Sequence, residues 1–335
     1  MLAAIVAGCS SLQTSHESSE YHVVPLNGGA AISMRGISVV NARIAWASGT
    51  RGTVLRTTDG GASWTAHAVP SGDSLDFRDV AAFDSLTAYA LAAGEDGRIY
   101  KTVNGGRDWQ LQFQNKTKGA FFDCFDFWDA QHGIAMSDPV DGKLLLLRTD
   151  DGRTWKQVDT GAMPAVHNGE AAFAASGTCV ITAQSSRVYL ATGGGGLGRV
   201  FVSNDRGKTW AVDATPVKAA SSSAGIFSLA FSDPHHGIAI GGDYQKPAVE
   251  AELAVTSNGG KSWAVGGKTS YVSGAAFVTN SNTVVAVGTP GTRVSHDRGV
   301  TWMTIDSVEY NAVAFAVDGT GFAVGPKGRI ARITR

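Results

Sequence analysis

A chain of 335 residues, 43% hydrophobic with 42 glycines, suits one large, turn-dense β domain. Its 28 Lys and Arg stand against 29 Asp and Glu, and this balance excludes a generic nucleic-acid surface, which needs a basic excess or stripe. No stretch reads as a membrane-spanning helix.

Met1 to Ser11 is an apolar run ending Val6-Ala7-Gly8-Cys9-Ser10-Ser11, short for a membrane span and typical of an export signal. The small residues ahead of Cys9 resemble a bacterial lipobox, the alternative being a chance Cys in a frayed terminus. The resemblance implies a signal peptide over 1–8, lipid on Cys9, a polar tether over 9–20, and an exported protein anchored in the bacterial cell envelope through its lipid alone. Tyr21 to Leu26 follows as an extended apolar segment with no partner of its own.

Six copies of Ser/Thr-x-Asp-x-Gly-x-Ser/Thr-Trp then organise the chain, ending at Trp64, Trp109, Trp155, Trp210, Trp263 and Trp302. The third position is Asp59, Asn104, Asp150, Asp205, Asn258 and Asp297 in turn, with Arg148 opening the third copy. Such a turn needs Asp or Asn to bond its own backbone and Gly to accept positive φ. Trp-to-Trp steps of 45, 46, 55, 53 and 39 residues match one four-stranded propeller blade each.

Period-two alternation places innermost strands at Gly36 to Val40, Arg78 to Phe83, Phe122 to Phe127, Glu170 to Ala174, Ile226 to Phe231, Ser273 to Phe277 and Asn311 to Phe315. The fold class is therefore all-β, a seven-bladed propeller over 21–335. The seventh blade stops after three strands, so the segment at Tyr21 to Leu26 should close the ring as its outer strand, where Pro25 is tolerated. Cys124 and Cys179 both lie in apolar strand patterns; spacing alone does not pair them, and two buried thiols are the expectation.

Loops entering the first strands and joining second to third strands share the face opposite the repeated turns. They carry Arg35, Arg78, Lys118, Asp123, Asp138, Glu170, Asp243 and Tyr244 as candidate binding residues, with Arg51 nearby in type and place. Arg35 and Arg78 from adjacent blades would converge at the channel mouth as an anion or carboxylate site. The competing reading is that these charges pair among themselves to satisfy loop ends. Asp138 and Asp243 fall in no ligand spacing, so no metal is expected. Gly193, Gly195 and Gly198 satisfy G-x-G-x-x-G, yet Arg199-Val200-Phe201-Val202 continues as strand, and a dinucleotide fingerprint needs a helix there. The glycines read as a hairpin, and no cofactor is expected.

The repeated turn resembles the Asp box, or bacterial neuraminidase repeat, of sialidase and sortilin propellers. Ala45-Trp46-Ala47-Ser48-Gly49 with Gly52-Thr53-Val54-Leu55-Arg56-Thr57-Thr58-Asp59-Gly60-Gly61 is similar to the blade consensus of the photosystem II stability and assembly factor family, and Gly169 to Thr178 and Gly241-Gly242-Asp243-Tyr244 resemble its non-photosynthetic bacterial branch. That resemblance implies a non-enzymatic propeller docking a membrane protein or protein complex, with Arg35, Arg78 and Arg51 positioned to serve. The competing classes are a sialidase-like exo-glycoside hydrolase and a surface glycan-binding module. For the hydrolase, Arg35-Gly36-Ile37 departs from the expected Arg-Ile-Pro, and the later blades carry no clear Tyr/Glu pair.

Overall fold

The computed structural model describes residues 20–335; the signal segment, Cys9 and nearly all of the tether lie outside the described residues. Among the described residues the chain forms seven four-stranded antiparallel sheets. Their innermost strands touch in sequence around a ring that ends with blade seven against blade one. Second strands such as Ala45–Gly49 and Ala88–Ala92 are buried at every residue because sheets cover both their faces. This explains why they read as unbroken runs of small apolar residues. Outer strands such as Thr65–Ala68 are mostly exposed.

The ring closes as the sequence predicts. His22–Asn27 pairs antiparallel with Arg329–Thr334, setting Pro25 opposite Ala331, and completes the sheet begun by Ala312–Phe315 and Gly321–Val324. Pro25 lies on the outermost strand, where its missing N–H is not needed by a further ladder.

Each repeated turn is a small hydrogen-bonded cage. Thr57 Oγ1 accepts the Gly61 N–H at 2.9 Å and donates to Asp59 Oδ1 at 2.8 Å, while the Ser63 N–H donates to the same carboxylate at 3.0 Å. Gly61 sits at φ 89°, a value glycine adopts at no steric cost. Asn104 and Asn258 build the same cage with an amide oxygen. The tryptophan that follows packs back on the preceding blade: Trp64 stands edge-on to Phe322 at 5.8 Å and Trp109 edge-on to Trp46 at 6.3 Å. Trp109 is 7% exposed, and its truncation to Ala would cost about 3–5 kcal/mol.

The third copy corrects the sequence reading by one residue. Its cage acid is Asp151, not Asp150: Asp151 accepts from Thr149 Oγ1 and from the amides of Arg153 and Thr154, while Asp150 pairs with Arg148 at 3.0 Å in solvent. The third strand ends at Thr149 and the turn is one residue shorter, so counting back from Trp155 misplaces the acid.

Two further expectations change in blade four. Its innermost strand is Val180–Ala183, and residues 170–174 belong to a loop in which Ala171 makes an isolated bridge to Gly193. Cys124 and Cys179 form a disulfide, their Cα atoms 6.1 Å apart. Cys124 lies in the innermost strand of blade three and Cys179 directly precedes that of blade four; side by side, these strands bring the thiols within bridging distance. Gly193 and Gly195 lie in the hairpin turn between Arg187–Ala191 and Gly196–Ser203, with Gly198 inside the second strand. Among the described residues no helix is long and apolar enough to cross a membrane.

Candidate binding site at the channel mouth

The innermost strands of blades one, two, three and five each carry a bulge near their start. The register shifts fall between Met34 and Gly36, Phe77 and Asp79, Phe122 and Cys124, and Ile226 and Ser228. The residues left outside the ladder are Arg35, Arg78, Asp123 and Phe227, and all four line one cavity of about 500 Å³. A bulge re-aims the side chain it displaces, here into the central space that an in-register strand would leave to its neighbours. Asp138 owes its place to another bulge, between Ser137 and Pro139 in the second strand of blade three. Ser273 and Asn311, each immediately before the innermost strand of its blade, line the same cavity from blades six and seven. The register puts the repeated turns at the far end of every blade: Met34 faces Gly49, whereas Val39 faces Ala45, which in turn faces Thr57.

Beneath the cavity the loop 169–178 fills the channel. Arg78 Nη1 donates to Ala174 O at 3.2 Å, Ser176 Oγ and Thr178 Oγ1 share a hydrogen bond at 2.7 Å, and Thr178 continues to Ser228 Oγ at 2.7 Å. Phe173 on this loop stacks on Phe227 with ring centroids 3.9 Å apart. Tyr271 meets Phe227 edge-on at 5.0 Å and Tyr244 at 6.2 Å, so one wall of the mouth is aromatic. Tyr244 is 49% exposed and stands at the rim.

The charges are unevenly satisfied. Arg78 Nε donates to Asp76 Oδ2 at 2.8 Å. Arg35 makes no side-chain hydrogen bond or ion pair among the described residues. Burial lowers its pKa, Arg78 lowers it further, and Asp76, Tyr271 and Glu309 act against that. Asp123 is 1% exposed, and among the described residues its Oδ2 has no hydrogen-bond partner. Burial, with Asp138 beside it, holds Asp123 well above the usual carboxylate range despite the pull of Arg78. Burial also raises Asp138 to about 6, against the Ala172 amide that donates to its Oδ1 at 2.8 Å.

Of the residues named from sequence, Arg35, Arg78, Asp123, Asp138 and Tyr244 come together at this mouth. Lys118 is exposed in a turn outside the cavity lining, and Asp243, also outside it, accepts the Gln245 amide at 3.0 Å. Glu170 is buried in an ion pair with Arg199, whose Nε lies 3.0 Å from Oε1, and accepts the His167 amide at 2.7 Å. Those bonds occupy both its oxygens in holding the loop. Sequence reasoning missed Phe173, Phe227, Tyr271, Glu309 and Asn311. Aligning the innermost strands on the Arg35 position would have found Phe227 and Asn311; no signal pointed to Phe173. Among the described residues no three His, Cys, Asp or Glu side chains converge as a metal-binding set.

Solved structures similar to this chain include YCF48 bound to D1 peptide, at TM-score 0.66 and 15% identity over 95% of this chain and 98% of that one. YCF48 from Cyanidioschyzon merolae matches at 0.64 and 16%, over 94% and 98%, and U3-55K at 0.65 and 13%, over 95% and 99%. At such identities the likeness is one of fold. No family model matches the sequence, and no curated protein matches it.

Proposed function

We propose that this chain is a non-catalytic binding propeller that takes a segment of a protein partner into the channel mouth. The observation that carries this reading is Arg35, a half-buried guanidinium without a hydrogen-bond partner among the described residues, at the edge of a cavity walled by Phe173, Phe227 and Tyr271. A cavity of about 500 Å³ with an aromatic wall and a few convergent polar groups suits two or three side chains of an extended segment. The same fold in YCF48 has been solved with D1 peptide bound, which supports a protein ligand here.

An extracytoplasmic setting belongs to the same reading, with a membrane protein or complex of the cell envelope as the partner. Its supports are the pairing of Cys124 with Cys179, since disulfides persist in oxidising compartments, and the lipobox-like sequence ending at Cys9.

The test is a peptide array probed with wild type and with Arg35→Ala, followed by titration of the retained peptides. Saturable binding to a subset of peptides, weakened at least about tenfold in Arg35→Ala, is the expected result. Turnover of a glycoside panel, or glycan binding without any peptide binding, would overturn the reading.

A further inference from the structure

Two arginines face Asp138, Glu309 and the buried Asp123 carboxyl across the mouth, so its polar lining is not reserved for an anion. Arg78 is already committed to Asp76 and to the Ala174 carbonyl. What remains on the blade-three side is a carboxyl group, Asp123, almost fully buried with Oδ2 unpartnered among the described residues, next to Asp138, which has one oxygen on the Ala172 amide and, among the same residues, no hydrogen bond on the other. A buried polar atom without a partner costs free energy unless something arrives to meet it. The neighbours supply apolar cover: Phe121, whose carbonyl accepts the Asp138 amide at 2.8 Å, and Phe173, next in sequence to Ala172, both line the cavity.

We propose that the Asp123–Asp138 side of the mouth is the seat of a basic side chain, a lysine ammonium or an arginine guanidinium, carried by the bound partner segment. The proposal rests on the protein-binding reading and adds to it the chemistry of the ligand. A cation there would meet Asp123 Oδ2 and the open oxygen of Asp138. Its aliphatic stem would lie along Phe121 and Phe173, as long basic side chains do when the head is paired and the stem is covered. Arg35, separated from these acids by Arg78 in the order of the blades, would hold a second, acidic or carbonyl group of the same segment. The mouth is thus bipolar, and the partner segment carries a basic residue as a condition of tight binding.

The probes are N-acetyl-arginine amide and N-acetyl-lysine amide, which bear a cation and no carboxylate, against the neutral N-acetyl-glutamine amide, titrated by calorimetry. Saturable binding of a cationic probe, at least about tenfold tighter than the neutral one and weakened about tenfold in Asp138→Asn, is expected from the loss of one charge-assisted contact. Asn at 138 keeps an oxygen for the Ala172 amide, so the loop stays anchored; Asp123→Asn, nearly the same shape, serves as the second variant. Equal binding of the neutral probe, undiminished binding in both variants, or no saturable binding of either cation overturns the proposal. If the peptide array still yields ligands sensitive to Arg35→Ala, that failure falls on the basic seat alone; if the array yields none, the protein-binding reading falls.

Discussion

Gly177, in the loop leading into blade four, lies against Asp79 of blade two: a Cβ on Gly177 would stand 2.2 Å from Asp79 Oδ1. Ser176 beside it packs against Gly274 of blade six, so this one loop spans the channel. Gly177 also sits at φ 82°, where a side chain is strained. Gly177→Ala should therefore destabilise the protein by about 1–3 kcal/mol, from backbone strain and the displaced Asp79 together. Denaturant unfolding checks it, and an unchanged midpoint would mean that the loop does not fill the channel in solution.

The disulfide anchors the C-terminal end of that loop, two residues beyond Gly177. Cys124 and Cys179 enclose a separation of 55 residues, for which the chain-entropy account gives about 4 kcal/mol of stabilisation. Replacing both with Ser should lower the unfolding free energy by an amount approaching that figure. It should also weaken ligand binding at the mouth, because Phe173, stacked on Phe227, rides on the released loop. Reduction of the native protein should reproduce both effects; equal stability of oxidised and reduced protein would contradict the bond.

Stability should pass through a maximum in mildly acidic solution. The hydroxyl and amide of Ser63 and the hydroxyl of Thr57 hold Asp59 at about 2, below the ordinary 3.8. That contribution is present above 3.8 and is lost as pH falls towards 2. Asp126 and Asp138 act with the opposite sign: burial raises each to about 6, so the fold binds their protons more tightly than the unfolded chain does. Their contribution is complete below 3.8 and disappears as pH rises through 6. Thermal melts should peak between roughly pH 4 and 6, and Asp126→Asn with Asp138→Asn should reduce the slope of the alkaline limb, to which the buried Asp79 and Asp123 also contribute. A melting temperature climbing steadily from about pH 5 to 8 would refute this assignment of signs.

The fold was legible because its signals are local and repeated. Each turn cage is written in consecutive residues, from Thr57 to Trp64 and again five times, and the extended apolar segment before blade one matched the one sheet short of a strand. The site was legible in part for the same reason: Arg35, Arg78 and Asp123 occupy one position of the repeat. Blade four was not legible, because its long entry loop contains an apolar run, Ala171-Ala172-Phe173-Ala174-Ala175, that mimics a strand while serving as channel filling. Nor did any local pattern show that Glu170 is met by Arg199, a partner that lies 29 positions away and approaches only once the hairpin has folded.

That ion pair supplies a test of whether Glu170 is structural or part of the mouth. Glu170 and Arg199 are 5% and 6% exposed, and Glu170 also accepts from Thr192 Oγ1 and the His167 amide. Removing one member of a buried pair leaves the other uncompensated, so Arg199→Met should cost about 3–5 kcal/mol. Glu170→Gln keeps the contacts at one oxygen but leaves a buried guanidinium uncompensated, and should cost a similar amount. The double variant should recover part of the loss, because two well-packed neutral side chains spare both desolvation penalties. Peptide binding measured well below the melting transition should change little in Glu170→Gln, since its carboxylate lines the loop's interior and not the cavity. A large loss of affinity with stability unchanged would move Glu170 into the binding surface.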